Sequence, residues 1–316
     1  MDTLAVVLEE PHRLALKRLP LSPPPGERDV LVDVDWTGIS AGTERLLWSG
    51  RMPSFPGLGY PLVPGYETVG TVTWAGAGAQ HDVGDRVFVA GARCFGETRA
   101  LFGGAASRLI VPGDRAITIA ASLEEDGVLL ALAATAYHAA WGAAGGHPDL
   151  IIGHGALGRL LARLAIAIAP DAPPPMVWET NAARRDGAVG YPVIDPTDDA
   201  RRDYRAIYDV SGAEGILDTL IGHLAPGGEI VLAGFYAEPV SFAFPPAFLR
   251  EARIRVAAEW RPADLAAVAE LANTGRLSLD GLVTHRAGAE SAASAYDVAF
   301  GDPTCVKMIL DWRATR

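Results

Sequence analysis

The sequence predicts an α/β protein in two parts, a β-rich first third followed by a doubly wound parallel sheet. Three observations carry that prediction. Up to about residue 115, apolar residues come in short Val- and Leu-rich runs punctuated by Gly and Pro, as strands and turns do. From about residue 120, short apolar strands alternate with helical stretches, the signature of a parallel sheet. The first of those strands runs into a glycine-spaced turn that opens a helix.

In chain order, "TLAVVLEE", "DVLVDVDWTGIS", "ETVGTVTWAGAG" and "GDRVFVAG" read as strands, with a turn at Gly84–Asp85. "SLEEDGVLLALAATAYHAAWGAA" reads as a helix capped by Ser122, with Glu125 at the capping-box position. "DLIIG", "PPMVWE" and "YRAIYDVSG" are successive strands, with helix "GALGRLLARLAIAIA" between the first two. Helix "AEGILDTLIGHLA" and strand "EIVLAGF" follow, then strand "RIRVAAEW" and helix "PADLAAVAELANTG", with Pro at its first turn. The chain closes on a strand-like run, "TCVKMILDW", whose place the sequence leaves open.

Composition narrows the function. At 316 residues the chain has room for two domains, and 49% hydrophobic residues supply sizeable cores. A formal charge of −11 excludes the cationic footprint that nucleic acid requires and disfavours anionic lipid. Two distant cysteines, Cys94 and Cys305, exclude a disulfide scaffold or a Cys-rich zinc cluster and fit a reducing cytoplasm. "MDTLAVVLEEPHR" lacks the cationic start of a signal peptide, and "LGRLLARLAIAIA" is too short and too charged to span a bilayer.

"LIIGHGALGRLLARLAIA" places Gly153, Gly155 and Gly158 in G-x-G-x-x-G spacing, after a strand and at a helix start. Gly153 allows the tight turn, Gly155 lets a pyrophosphate approach the backbone, and Gly158 lets helix and strand pack closely. Ala156 and Leu157 within the motif, and Ser211 and Gly234 at later strand ends, are further candidate cofactor contacts. Glu179 ends the next strand, 21 residues beyond Gly158, where a carboxylate holds ribose hydroxyls and repels a 2′-phosphate. That favours NAD over NADP, although Arg184 and Arg185 follow closely enough to blur the choice.

With "GYE" at 65–67, "VGDRV", "TAYHA" and "GGEIVLAGF", the chain resembles the medium-chain dehydrogenase/reductase family over nearly its whole length. The resemblance implies a GroES-like β-rich catalytic domain over 1–118, an NAD-binding Rossmann domain over 119–262, and a segment over 263–316 returning to the catalytic domain. It implies an active site between the domains, and dimers through the edge of the nucleotide-binding sheet, for which "RIRVAAEW" is a plausible strand. "DWTGISAGTERLLWSGRMPSFPGLGYPLVPGYETVG" is similar to a cytoplasmic branch of the family that works in bacteriochlorophyll synthesis. That branch oxidises the 3-(1-hydroxyethyl) group of a magnesium-containing chlorophyllide or bacteriochlorophyllide to 3-acetyl with NAD.

The family pattern puts Ser40, Tyr66 and about Ala131 at the three usual catalytic zinc ligands, leaving only the adjacent acid, Glu67. Hydroxyls are poor zinc ligands beside thiolate and imidazole, so no protein-bound metal is expected. The four-cysteine structural zinc lobe is also missing. Ser40, Thr43 and Tyr66 become the candidate contacts to the reacting oxygen; Thr43 takes the relay position if one residue is inserted after Ser40. His138 is a more distant candidate for moving the proton. Glu67 is a further catalytic candidate, and it reads equally as a buried structural acid paired with a cation. For the flat substrate, Trp36, Trp48, Phe55, Tyr60 and Tyr66 supply aromatic faces, and Arg45 and Arg51 are candidates for its propionate. Two other readings remain: a zinc-free NADPH-dependent quinone or enone reductase, and a nucleotide-binding scaffold without turnover.

Overall fold

The Val- and Leu-rich runs of the first third become strands because alternate residues reach shared apolar interiors. A computed structural model describes residues 1–54, 56–142, 145–236 and 238–315. The chain divides into two compact units, Met1–Ala131 with Asp280–Arg316, and Leu132–Leu279. These divisions fall later than the 118/119 and 262/263 positions read from the sequence. The segment at 121–129 packs on strands of the first unit, and the helix from Pro262 belongs to the second.

In the first unit, β1 (Asp2–Glu10) and β2 (Arg13–Pro20) form a hairpin that joins β4 (Leu62–Pro64) and β7 (Arg99–Leu101) in a sheet ordered β2-β1-β4-β7. The second sheet is centred on β3 (Asp29–Ile39). It contains β5 (Thr68–Ala75), β6 (Arg86–Val89), β8 (Arg108–Pro112), β9 (Ala116–Thr118), β16 (His285–Gly288) and β17 (Met308–Asp311). The final apolar run therefore returns to the first unit: β17 pairs antiparallel with β3, Met308 opposite Ile39. That register brings Lys307 alongside the end of β3. Helices α1 (Thr43–Ser49) and α7 (Ala292–Gly301) complete the unit around a core that includes Val6, Val32, Leu47, Leu109 and Trp312.

The second unit is a six-stranded parallel sheet. Its strands β10 (Leu150–Ile152), β11 (Met176–Trp178), β12 (Val193–Ile194), β13 (Tyr204–Asp209), β14 (Leu224–Leu232) and β15 (Arg253–Val256) run in the order β12-β11-β10-β13-β14-β15. This is the doubly wound dinucleotide-binding order, with the ligand crevice where the strand order reverses beside β10. Its helices are α2 (Leu130–Trp141), α3 (Ala156–Ile168), α4 (Leu217–His223), α5 (Phe244–Leu249) and α6 (Pro262–Asn273), α2 starting just before the division. No helix among the described residues is long and apolar enough to cross a membrane.

The expected Ser122–Glu125 capping box does not form. Residues 121–129 wind as 3₁₀ turns after Ala120, with no side-chain cap, and Glu124 turns to a φ of 41°. That left-handed residue breaks the continuous turn on which a capping box depends, and the Glu125 carboxylate instead accepts from Arg286. At α6 the reading from Pro262 holds: Asp264 reaches back to accept the Arg261 amide at 2.8 Å.

Candidate active site

In the second unit, β10 ends in the glycine turn. Gly153 has a φ of 100°, which a side chain would strain. A Cβ on Gly158 would lie 1.9 Å from the Gly153 carbonyl oxygen, so only glycine lets α3 start this close to the turn. Gly155, at the N-cap of α3, has nothing within 4 Å of where its Cβ would be. The motif thus leaves an open space at the N-terminus of a helix of 13 residues, and a dinucleotide pyrophosphate fits such a cradle. Ala156 is at the first position of α3 and Leu157 follows it. Ser211 lies against Gly153, its Cβ 3.3 Å from the glycine's virtual Cβ, and is held by Asp209, which accepts both its amide and its hydroxyl. Gly234 donates its amide to the Asp209 carbonyl at 2.9 Å.

Glu179, just past β11, is 8% exposed. Its oxygens accept from the amides of His154 (3.0 Å) and Asn181 (2.8 Å), so it also fixes the glycine turn. Arg185 is engaged by Asp195 and by the carbonyls of Glu179 and Thr180. Sequence reasoning missed His154, the residue between the first two glycines. It is fully buried, and burial lowers its pKa to about 4. The ring is therefore neutral: Nδ1 donates to the Arg184 carbonyl, and Nε2 accepts from the Tyr191 hydroxyl at 2.9 Å. His138 on α2 is tied through Nδ1 to Asp264 at 2.8 Å, the same acid that caps α6.

In the first unit, three hydroxyls singled out from the sequence converge. Ser40 follows β3, Tyr66 lies between β4 and β5, and Thr43 opens α1. Ser40 Oγ is 2.7 Å from the Tyr66 hydroxyl, and the Thr43 side chain hydrogen-bonds the same phenol. Tyr66 is 7% exposed and packs edge-on against Phe102. Burial holds the phenol well above the ordinary tyrosine range, with the Glu67 charge adding to this and the Ser40 and Thr43 hydrogen bonds opposing it.

Behind the cluster, Glu67 is fully buried. It takes both its oxygens to Lys307 Nζ, at 2.8 and 2.6 Å, and Lys307 gives a further hydrogen bond to the Ile39 carbonyl at 3.2 Å. Three ammonium protons meet three acceptors. Burial pushes the Glu67 carboxyl up, and Lys307 opposes that rise. The pair clamps the residues adjacent to Ser40 and to Tyr66. Gly38 makes room for it, since a Cβ there would lie 2.0 Å from Glu67 Oε2. Glu44, also missed, is buried in the first turn of α1. It accepts the Ser40 amide at 3.0 Å and the Tyr296 hydroxyl.

The aromatic segment is less unified than its sequence suggests. Trp48 packs edge-on against His12 and Tyr296. Tyr60 donates to the Leu47 carbonyl. Trp36 lies elsewhere, between the guanidinium groups of Arg86 and Arg313. Arg45 and Arg51 are exposed, and Phe55 lies outside the described residues.

The positions assigned to catalytic zinc ligands hold two mutually bonded hydroxyls and Ala131, a donor set that does not fit zinc. Among the described residues, no three His, Cys, Asp or Glu side chains converge as a metal site would require.

Residues 26–121 match the alcohol dehydrogenase GroES-like domain, and the chain belongs to the medium-chain dehydrogenase/reductase family of oxidoreductases. It is 55% identical to the 2-desacetyl-2-hydroxyethyl bacteriochlorophyllide A dehydrogenase of Rhodobacter capsulatus, over 99% of both chains. It is 56% identical to the protein of the same name from Cereibacter sphaeroides, over the whole of both. A solved structure from Sinorhizobium meliloti 1021, described as a zinc-binding dehydrogenase bound to NADP, gives a TM-score of 0.82 at 24% identity over 98% of this chain and 99% of that one. At that identity the likeness shows the fold.

Proposed function

We propose that this protein oxidises the 3-(1-hydroxyethyl) group of a magnesium-containing bacteriochlorophyllide to 3-acetyl, with NAD as acceptor. The observation that carries the reading is the Ser40–Tyr66–Thr43 cluster, three hydroxyls meeting where the family pattern has thiolate and imidazole. Two full-length relatives with that substrate in their names support its class.

In this reading Tyr66 and Ser40 hold the alcohol oxygen, and Thr43 fixes the phenol that does so. Oriented hydroxyl donors stabilise charge developing on an oxygen, the role that a metal plays elsewhere as a Lewis acid. The carbinol carbon loses a hydride and its oxygen a proton: R–CH(OH)–CH₃ and NAD⁺ give R–CO–CH₃, NADH and H⁺. The conjugated macrocycle spreads the positive charge that appears as the hydride leaves, which lightens the demand on the hydroxyls. His138, tied to Asp264, takes no step in this reading.

NAD, when bound, supplies the hydride acceptor. Gly153, Gly155 and the start of α3 at Ala156 and Leu157 would hold its pyrophosphate, with Ser211 and Gly234 beside them. Glu179 accepts one amide on each oxygen and keeps lone pairs for ribose hydroxyls. Its carboxylate disfavours a 2′-phosphate, and Arg185 is already engaged by Asp195. Gly155→Val is the clean probe, because the fold has room for the side chain and the pyrophosphate needs that room. Fluorescence titration should show NADH binding weakened at least about tenfold, about 1.4 kcal/mol, with an unchanged circular dichroism spectrum. Unaltered binding would remove the motif from the cofactor site.

A homodimer and a cytoplasmic setting complete the reading. β15 ends the parallel sheet, and Phe242, Phe244 and Phe248 line an open groove that includes Ile254 of that strand. Sedimentation equilibrium should return twice the chain mass for the wild type and the single mass for Phe248→Asp. Cys94 and Cys305 are buried thiols not joined to each other, as a reducing compartment would leave them.

The deciding assay mixes purified protein, 3-hydroxyethyl bacteriochlorophyllide and NAD. A shift of the macrocycle absorption with matching NADH formation supports the proposal. NAD binding without conversion, or faster quinone reduction with NADPH, refutes it.

A further inference from the structure

Among the described residues of the first unit, Glu44 stands apart from the other buried carboxylates. Glu67 has Lys307, and Asp35 has Arg86, whereas among the described residues the two oxygens of Glu44 meet a backbone amide, that of Ser40, and a phenol, that of Tyr296. The carboxyl is 1% exposed and Tyr296 is fully buried. Both partners can serve an ionised or a protonated acid. The amide donates in either case, and the Tyr296 hydroxyl either donates to a carboxylate or accepts from a carboxylic acid.

From its remaining sides Glu44 senses Glu67, which opposes its ionisation, and Lys307, which favours it. Burial, with Glu67 acting the same way, outweighs the Tyr296 and Ser40 hydrogen bonds and Lys307, and lifts the acid to about 7. Its charge therefore changes in the range where the enzyme would work. That charge is felt by Tyr66, whose ionisation Glu44 opposes. The same acid holds Ser40, the partner of Tyr66, by its backbone.

We propose that Glu44 is an electrostatic positioning residue of the hydroxyl cluster: its carboxyl fixes Ser40 through the amide, and its charge, modulated by Tyr296, sets how readily the cluster and a bound alcohol yield a proton. The inference rests on the proposed alcohol oxidation. A negative charge beside the cluster disfavours a developing alkoxide, so the ionised form of Glu44 raises the pH at which oxidation reaches half its maximal rate. Tyr296 stabilises the ionised form by donating to it. Without that donor, Glu44 stays neutral to higher pH.

The test is the pH profile of kcat for alcohol oxidation in Glu44→Gln, Tyr296→Phe and the double variant. Glu44→Gln keeps an acceptor for the Ser40 amide and removes the charge; its midpoint should fall by about one pH unit, with NADH affinity unchanged. Tyr296→Phe should move the midpoint in the same direction by less, and should add nothing in the Glu44→Gln background. A purely structural role would scale kcat at every pH and leave the midpoint in place; that outcome overturns the inference. So does a Tyr296→Phe shift of equal size with and without Glu44.

An activity-independent readout separates this inference from the reading beneath it. Infrared spectra should show a carboxylic acid C=O band that titrates near pH 7 and vanishes in Glu44→Gln. Absence of that band overturns the inference even if alcohol oxidation is found. Its presence in a protein that oxidises no alcohol would instead refute the proposed function while upholding the titrating acid.

Discussion

Replacing Lys307 by Met is expected to destabilise the protein by about 3–5 kcal/mol, the cost of leaving a buried charge without its partner. Lys307 Nζ is 2.8 and 2.6 Å from the oxygens of Glu67, and both side chains are essentially sealed from water. Met fills much of the lysine's volume, so the loss isolates the charge rather than opening a cavity. The defect should depend on pH. Without the cation, burial raises the folded-state pKa of Glu67 above its unfolded value, so the folded state binds more protons between the two. Stability then falls as pH rises through that window, and the gap to wild type narrows as pH is lowered toward the unfolded value. Adding Glu67→Leu should recover part of the loss, because an apolar pair can replace a buried ion pair at little cost. Urea melts at two pH values would check this. A Lys307→Met protein as stable as wild type at pH 8 would show that the pair does not hold the unit together.

Tyr66→Phe should lower kcat by about 10²–10³-fold, the usual effect of removing one donor aimed at a developing oxyanion. The ring would stay in place against Phe102, and the loss would be confined to the hydroxyl that Ser40 and Thr43 hold. Because the effect belongs to the transition state, KM and NADH affinity should change little. Steady-state kinetics with the hydroxyethyl macrocycle, alongside NADH titration, would distinguish the cases. A kcat within twofold of wild type would take Tyr66 out of the chemistry, and a matching rise in KM alone would make it a binding contact.

Much of this protein was legible in one dimension because its signals are local. Strand–turn–helix order and glycine spacing around 153–158 require only that neighbouring residues share a backbone conformation, and the parallel sheet follows from their alternation. Ser40, Thr43 and Tyr66 were also readable, through their places in a family pattern. The capping box at Ser122 failed for a complementary reason: Glu124 takes a left-handed conformation, and Glu125 turns to Arg286, 161 residues away.

The sequence by itself therefore determined the fold class and the glycine-spaced turn at the start of α3, and it singled out the hydroxyls that converge in the first unit. Only the tertiary structure decided that Lys307 of the final apolar run clamps Glu67, that Glu44 meets Tyr296, and that His154 locks the glycine turn from within. Each of these depends on a contact between residues far apart in sequence, 240 positions for the first and 252 for the second. A lysine inside an apolar run, one of only two in the chain, was the signal that could have pointed to a buried anion. Which anion it met was fixed by the register of β17 on β3, because a shift of one residue would turn Lys307 to the opposite face of the sheet.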